Sequence, residues 1–250
     1  MDKRKSAILE ILRTDDEVSV KQLAEQFGVS NVTIRSDLAE LEQNGLLRRT
    51  HGGAVSAKKS YYNMSLHDRM TINRNEKIRI ANSCAELIKD GDTLMIDSGT
   101  TTRYLAKELS DRKNLTIVTN AIQIAEEFVY STANVIFLGG NLDSQYQFTY
   151  GNETVSQLQN YRADKTILAV DGISIEHGLS TYHYREVDVS RCMIERTNEV
   201  IVVADHSKIG KEGFSYIAPL QKTNVLITNH NIDTASELEK YRSKGITVIT

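Results

Sequence analysis

VKQLAEQFGVSNVTIRSDLAELEQNGLLRRTHGG, residues Val20–Gly53, reads as two short helices joined by a tight turn, followed by a basic strand and a glycine turn. Val20, Leu23, Ala24 and Phe27 recur at helical spacing, which predicts a helix over about 20–27. Gly28 ends it, because only glycine enters the left-handed turn conformation without steric cost. Ser30 is placed to cap a second helix over about 31–43, whose buried stripe is Ile34, Leu38 and Leu41. Ala24, Gly28 and Ile34 fall where a helix-turn-helix needs a small residue, a turn glycine and an apolar core residue. Leu46–Arg49 is expected as a strand that Gly52-Gly53 turns back towards Ala54-Val55, giving a β-wing. With Ile34 facing inward, the second helix presents Ser30, Asn31, Thr33, Arg35 and Ser36, side chains that reach base edges and phosphates. Arg35 is the first candidate for such a contact. Arg48, Arg49 and His51 are expected beside the DNA backbone or minor groove. The competing reading is a small helical packing module with solvated arginines; the basic wing at the expected distance counts against it.

The totals fit a soluble, two-domain chain. Its 250 residues carry a net charge of −3, unusual for a DNA binder, but the distribution is uneven. Residues 1–60 hold ten Lys/Arg and nine Asp/Glu, and the remainder hold twenty and twenty-four. Between residues 43 and 60 stand Arg48, Arg49, Lys58 and Lys59 with no acid, so the basic footprint is local. Apolar runs such as Ile201–Ala204 are too short to span a bilayer. The basic start, Lys3–Lys5, leads into an amphipathic helix marked by Ile8, Ile11 and Leu12 and not into a signal peptide. Cys84 and Cys192 form no metal motif or disulfide framework and are expected as reduced, half-buried thiols of a cytoplasmic protein. The histidines form no HExxH or Cys/His cluster, so no metal site is expected.

Three regions follow: a DNA-binding unit over 1–57, a polar linker over 58–75 whose second half could be helical, and an effector-sensing and oligomerisation domain over 76–250. In the last, β-branched runs predict strands at Thr93–Asp97, Leu115–Thr119, Val135–Leu138, Thr166–Asp171, Val200–Ala204, Val225–Thr228 and Ile246–Ile249. Helical periods lie between most of them: Ile78, Ala81, Ala85 and Ile88; Tyr104, Leu105 and Leu109; Ile122, Ala125, Glu126 and Val129. The fold class is therefore α/β, with a doubly wound, mostly parallel sheet covered on both faces.

The chemistry of that domain centres on Asp97, Ser98, Gly99, Thr100, Thr101 and Thr102, which end a strand and open a helix. Backbone amides at a helix N-terminus favour an anion, and the hydroxyls add donors. A phosphate suits the motif, but a nucleotide P-loop is excluded because its Gly-Lys-Ser/Thr core is missing. Asn120, Gly139, Gly140, Asp171 and Lys208 also follow strands, at the end of a parallel sheet where ligands bind. The amide and carboxylate suit sugar hydroxyls, and Lys208 suits a phosphate. Each also has a plain role open to it: a helix cap for Asn120, turns for Gly139-Gly140 and Asp171, a surface position for Lys208. Tyr61-Tyr62 and Tyr182-His183-Tyr184 remain open between surface and dimer-contact aromatics.

The pattern of Ser30, Thr33-Ile34-Arg35, Asp37-Leu38, Leu41-Glu42, Gly45, Arg49 and His51-Gly52-Gly53-Ala54 resembles the DeoR family of bacterial sugar-metabolism repressors. The motifs DSGTTT, VTN, LGG, YGN, VDGI, GLST and ADHSK, in that order, resemble the family's effector domain, which is similar in fold to ribose-5-phosphate isomerase. Tyr150-Gly151, Leu158–Tyr161 and Gly178–Thr181 look closest to regulators of hexitol and amino-sugar operons. One position departs: Ser36 stands where many members carry a second arginine, so the family's usual operator preference is not carried over. The resemblance implies a repressor controlled by a phosphorylated sugar or sugar alcohol, without a cofactor, acting as a homo-oligomer on double-stranded DNA and away from membranes. The alternative is a sugar-phosphate isomerase-like enzyme with a DNA-binding appendage. Related isomerases carry Asp-Gly-Ala-Asp followed by a lysine; here the run is Asp171-Gly172-Ile173-Ser174, with no lysine between Lys165 and Lys208. The chain is accordingly expected not to be an enzyme.

Overall fold

A computed structural model describes residues 3–15, 17–43, 47–56 and 64–250. The chain divides into two compact units, Met1–Met64 and Ser65–Thr250.

The first unit runs α1 (Lys3–Asp15), β1 (Glu17–Ser19), α2 (Val20–Phe27), α3 (Asn31–Gln43), β2 (Leu47–Arg49) and β3 (Gly53–Ser56). Ile8, Leu12, Val18, Leu23, Ile34, Leu38, Leu41, Leu47 and Ala54 close into one core. Both caps take their expected form. Gly28 adopts a left-handed φ of 64°, and Ser30 Oγ accepts from Thr33 N at 3.1 Å. The wing is a three-stranded antiparallel sheet in the order β1-β3-β2. Its first strand is a finding: β1 is three residues long, too short for a periodic signal. Leu46, Lys58, Lys59 and Tyr61-Tyr62 lie outside the described residues.

The second unit contains α4 (Leu66–Thr71), α5 (Arg74–Ala85), β4 (Thr93–Ile96), α6 (Thr100–Leu109), β5 (Thr116–Thr119), α7 (Ile122–Glu127), β6 (Asn134–Phe137), β7 (Asn141–Asp143), β8 (Phe148–Tyr150), α8 (Asn152–Leu158), β9 (Ala163–Ala169), β10 (Gly172–Ser174), β11 (Gly178–Thr181), α9 (Val187–Glu195), β12 (Thr197–Val203), β13 (Ser215–Ala218), β14 (Val225–Ile227), α10 (Ala235–Ser243) and β15 (Thr247–Ile249). All seven anticipated strands form one sheet in the order β15-β14-β12-β9-β4-β5-β6, and every neighbouring pair in it is parallel. Alternation along each strand feeds two cores. Met95, Val118, Leu168, Val202 and Leu226 face the layer containing α9 and α10. Leu94, Ile96, Ile117, Ile167, Ile201 and Ile227 face α5, α6 and α7. Burial on both faces is why these strands read as continuous apolar runs.

Three expectations need correction, and one detail is added. Residues Ser65–Asn75 of the anticipated linker belong to the second unit, where α4 and the start of α5 stand. The phase of the helix over 122–129 is different: Ile124 and Phe128 are buried, whereas Ile122 and Val129 are exposed. The helix closes after Glu127, so Val129 never joins its face. Cys84 and Cys192 are fully buried free thiols, and burial pushes the Cys84 thiol up to about 12. Two small antiparallel sheets, β10-β11-β13 and β7-β8, accompany the parallel one.

The strand order fixes where a ligand can enter. From β4 the chain winds outward through β5 to β6, then returns to the other side of β4 and winds through β9 to β15. β4 and β9 are adjacent, so the crossovers diverge between their C-terminal ends and leave a crevice there. Asp97 follows β4, and Asp171 follows β9.

Candidate DNA interface and ligand-sensing site

In the first unit α3 lies beside the wing. A cleft of about 420 Å³ between them is lined by Arg35, Glu42, Arg49 and His51, together with Val20, Leu38, Thr50 and Gly53. Ser30, Asn31, Arg35, Ser36, Arg48, Arg49 and His51 are exposed. Arg35 makes no hydrogen bond or ion pair among the described residues. Ser30 and Thr33 are joined to each other, Oγ to Oγ1 at 2.9 Å, besides their capping bond. Val32 is 74% exposed on the same turn, one helical step from Arg35 and Ser36. It was missed because an apolar residue was not sought among polar ones, yet an apolar side chain can meet a thymine methyl.

Arg49 is tied to α3 through Glu42. Its backbone N–H donates to Glu42 Oε1 at 2.8 Å and its Nε to Glu42 Oε2 at 2.7 Å. Those two Arg49 hydrogen bonds hold the Glu42 carboxyl below its ordinary range. The basic N-terminal residues are taken up differently. Arg4 grips Asp37 through two bonds, at 2.6 and 3.1 Å, and Lys5 pairs with Glu40. They brace α1 on α3, which explains why they add little to the basic footprint.

In the second unit the crevice between β4 and β9 holds a dense polar cluster. The amides of Thr100–Thr102 precede the first bond of α6, from Arg103 N to Gly99 O at 3.0 Å. Thr102 Oγ1 caps the turn by donating to Gly99 O at 2.9 Å. Thr100 and Thr101 hydroxyls make no hydrogen bond among the described residues. Gly99 is needed for packing: a Cβ there would sit 2.5 Å from Ala169 Cβ on β9.

Asp171 is 5% exposed. It accepts from Arg69 Nη2 at 3.0 Å, Tyr182 N at 2.9 Å and Thr181 Oγ1 at 3.1 Å, with Lys208 Nζ at 3.9 Å. Burial alone would raise its pKa, but Arg69, Lys208 and the Tyr182 amide outweigh that and hold it at about 2. Asp97 stands in the opposite condition. Burial, reinforced by the charge of Asp171, pushes it up to about 7 against bonds from Ser98 N and Ser190 Oγ. Glu186, equally buried, is raised well above the carboxylate range by burial and by Asp97 and Asp171. Ser98 Oγ donates to Glu186 Oε2 at 3.0 Å. Thr181 Oγ1 lies 2.5 Å from Glu186 Oε1 and 3.1 Å from Asp171 Oδ2. One hydroxyl hydrogen cannot serve both carboxylates, so the geometry requires a proton on Glu186 that is donated to Thr181 while Thr181 donates to Asp171.

A second layer surrounds this cluster. Arg69 Nη1 donates to His183 Nε2 at 3.0 Å, and the His183 ring stacks on Tyr146 at 3.8 Å. Burial, opposed by Asp171, lowers His183 to about 4, which leaves it neutral. Lys77, 5% exposed, donates to Arg69 O and Ile72 O, both at 2.6 Å, and burial lowers it to about 8. Asp205 accepts from Asn73 Nδ2 at 3.0 Å; Lys208, Ser207 and Lys77 overcome its burial and lower its pKa. At neutral pH the cationic Arg69, Lys77 and Lys208 thus face the anionic Asp171 and Asp205, with Asp97 partly ionised beside them.

The sequence-expected residues are not all at the crevice. Asp97–Thr102, Asp171 and Lys208 converge there. Asn120 is buried at the end of the neighbouring β5; its Nδ2 donates to Thr149 O at 2.8 Å, while its Oδ1 and both polar atoms of Gln123 lack a partner among the described residues. Gly139 and Gly140 serve α8: Thr154 Oγ1 and the Gln157 amide bond to Gly139, and a Cβ on Gly140 would sit 2.1 Å from Thr154 Oγ1. Arg69, Lys77, His183 and Glu186 were not singled out as site residues. The available signal was charge density: Arg69 stands in the segment expected as linker and Lys77 just beyond it, on the two successive helices α4 and α5.

A winged helix-turn-helix followed by a parallel α/β unit with a polar crevice at its switch point defines a DNA-binding transcriptional regulator with a sensor domain. Residues 4–60 match the family model for the DeoR-like helix-turn-helix domain, and residues 72–230 match that for the DeoR C terminal sensor domain. The chain is 38% identical over 247 residues to the transcriptional repressor AccR of Agrobacterium fabrum (strain C58), covering 97% of this chain and 96% of the relative. It is 36% identical over 227 residues to the glycerol-3-phosphate regulon repressor of Escherichia coli (strain K12), covering 90% of each. The chain belongs to the DeoR family of transcriptional regulators. Among solved structures, ribose 5-phosphate isomerase A of Methanocaldococcus jannaschii aligns over 54% of each chain with a TM-score of 0.41 and 16% identity, too remote to bear on chemistry. No described helix is long and apolar enough to cross a membrane.

Proposed function

We propose that this regulator is a cytoplasmic repressor of a carbohydrate-catabolic operon and that a phosphorylated sugar or sugar alcohol at the β4–β9 crevice controls it. The observation that carries the ligand class is the pairing, at one crevice, of Thr100 and Thr101 hydroxyls without a hydrogen bond among the described residues, at a helix N-terminus, with the cations Arg69, Lys77 and Lys208. That pairing suits a phosphate. One relative is named for the glycerol-3-phosphate regulon, itself named after a phosphorylated polyol. The chain binds this ligand without converting it: Asp97 and Glu186 are buried and hydrogen-bonded to Ser98, Ser190 and Thr181, and the second aspartate of the isomerase run is Ser174. The operator-bound form is a homo-oligomer, because helix-turn-helix proteins read repeated half-sites. The ligand releases DNA by binding one arrangement of the subunits better than the other.

Arg35→Ala weakens operator binding by about 1–3 kcal/mol at fixed salt, and an unchanged dissociation constant removes Arg35 from the interface. Thr100→Val leaves operator binding intact and shifts the sugar-phosphate concentration for half-release upward in a gel-shift titration. An unshifted titration places the ligand elsewhere.

A further inference from the structure

The seven-stranded sheet of the second unit ends at β15 and β6, and the three-stranded sheet beside it has β13 at one edge. Beside β13, Arg191 donates to Ile217 O at 2.9 Å and to Tyr216 O at 2.7 Å. Beside β15, Arg242 Nη2 reaches Val248 O at 3.5 Å. An arginine laid on edge carbonyls blocks the addition of another strand.

β6, the other edge of the seven-stranded sheet, has no such cover among the described residues. Asn134 N bonds to Leu115 O and Leu138 N to Thr119 O on β5. Alternation directs the N–H and C=O groups of Val135 and Phe137 to the open side. The strand, Asn134-Val135-Ile136-Phe137, carries no charge, and Phe137 is 42% exposed. Val129 and Tyr130, on the approach to the strand, are 66% and 101% exposed, and Leu142, just beyond it, is 52% exposed. Native edges are ordinarily protected by charge, proline or a covering element; this one is apolar and open.

We propose that β6 pairs antiparallel with the β6 of a second copy of this chain, joining the two parallel sheets into one across a two-fold axis. The open groups fix the register. Val135 of one copy exchanges both backbone hydrogen bonds with Phe137 of the other, and the symmetric pair repeats this, giving four bonds. Ile136 then faces Ile136 of the other copy on the axis, as a non-hydrogen-bonded pair. The side-chain pairs are Val–Phe and Ile–Ile, a β-branched–aromatic match and an aliphatic match. No like charges meet, so the strand is complementary to itself, as an isologous interface requires. The same antiparallel arrangement sets the approach of one strand, with Val129 and Tyr130, beside the exit of the other, with Leu142.

The proposal rests on the homo-oligomer in the functional reading and names its surface. In the full chain, Ile136→Cys forms a disulfide-linked dimer on mild oxidation, visible on a non-reducing gel; Cys84 and Cys192 are buried and give no background. Val135→Pro removes only an outward N–H, leaves the β5 ladder intact, and halves the molar mass by light scattering with an unchanged far-UV circular dichroism spectrum. An oligomer that forms no link through residue 136 overturns the β6 interface and leaves the oligomeric reading standing. A monomer at tens of micromolar overturns both. If Val135→Pro fails to fold, the cross-link alone decides.

Discussion

Replacing Arg69 by methionine lowers the stability of the second unit by about 3 kcal/mol, the lower end of the ~3–5 kcal/mol lost when one partner of a buried ion pair is removed. The side chains of Arg69 and Asp171 are 11% and 5% exposed. Asp171 stays ionised in the interior chiefly because the guanidinium stands 3.0 Å away. Methionine fills the volume but leaves a carboxylate that burial penalises. Lys208 at 3.9 Å and the Tyr182 amide persist, so the loss stays at the lower end. Urea denaturation of the two proteins at neutral pH measures it. Adding Asp171→Asn recovers part of the loss, since no charge then needs a partner. A midpoint that does not move shows that Lys208 suffices.

The buried Asp97 carboxyl contributes stability to the second unit that is lost as pH rises from about 4 to about 7. Asp97 is raised from 3.8 to about 7, mainly by burial, so the folded state holds its proton more tightly than the unfolded chain. That contribution is complete below the unfolded value and is lost as pH climbs through the folded one. Asp171 behaves oppositely: depressed to about 2, it stabilises above its unfolded value, and that gain is lost only as pH falls through about 2. Between 4 and 7 the Asp97 effect is therefore unopposed by Asp171, but His183, lowered to about 4, adds stability as pH rises through the same window and offsets much of it. About three pKa units correspond to roughly 4 kcal/mol. Asp97→Asn keeps an acceptor for the Ser98 amide and removes the titration. The variant is expected to gain stability over the parent as pH rises from about 4 to about 7 and to be the more stable protein at pH 8. A difference between the two that stays constant over that range assigns the titrating proton to Glu186.

The large elements were legible because their signals are local. Seven apolar runs announced seven strands, since a parallel strand buried on both faces tolerates little else. Gly28 and Ser30 announced the helix turn because a left-handed φ and a cap each demand particular residues. What escaped depends on distant partners. β1 is three residues long, and its pairing with β3 joins positions far apart in sequence. Lys77 and Arg69 look like solvated charges in a polar segment until α4 is packed against the sheet unit. Thr181, His183 and Glu186 sit on a short strand and a tight turn, where no periodicity flags them. The helix over 122–129 was phased by its aliphatic residues, but Gln123 is the residue turned inward, 1% exposed. A buried amide breaks the hydrophobic pattern. For the crevice, Asp97–Thr102 was readable because strand end and helix start coincide in one motif; the cations that balance it were not, because only the fold brings them there.

Glu42 lines the cleft beside Arg35, and its two bonds to Arg49 tie the far end of α3 to the wing. Helix and wing consequently keep a fixed gauge before any duplex arrives, like two teeth cut on one key. Ordering them is then not a cost charged to binding. Altered operator choice can therefore arise from Glu42, a residue whose only task is to hold the spacing between two others.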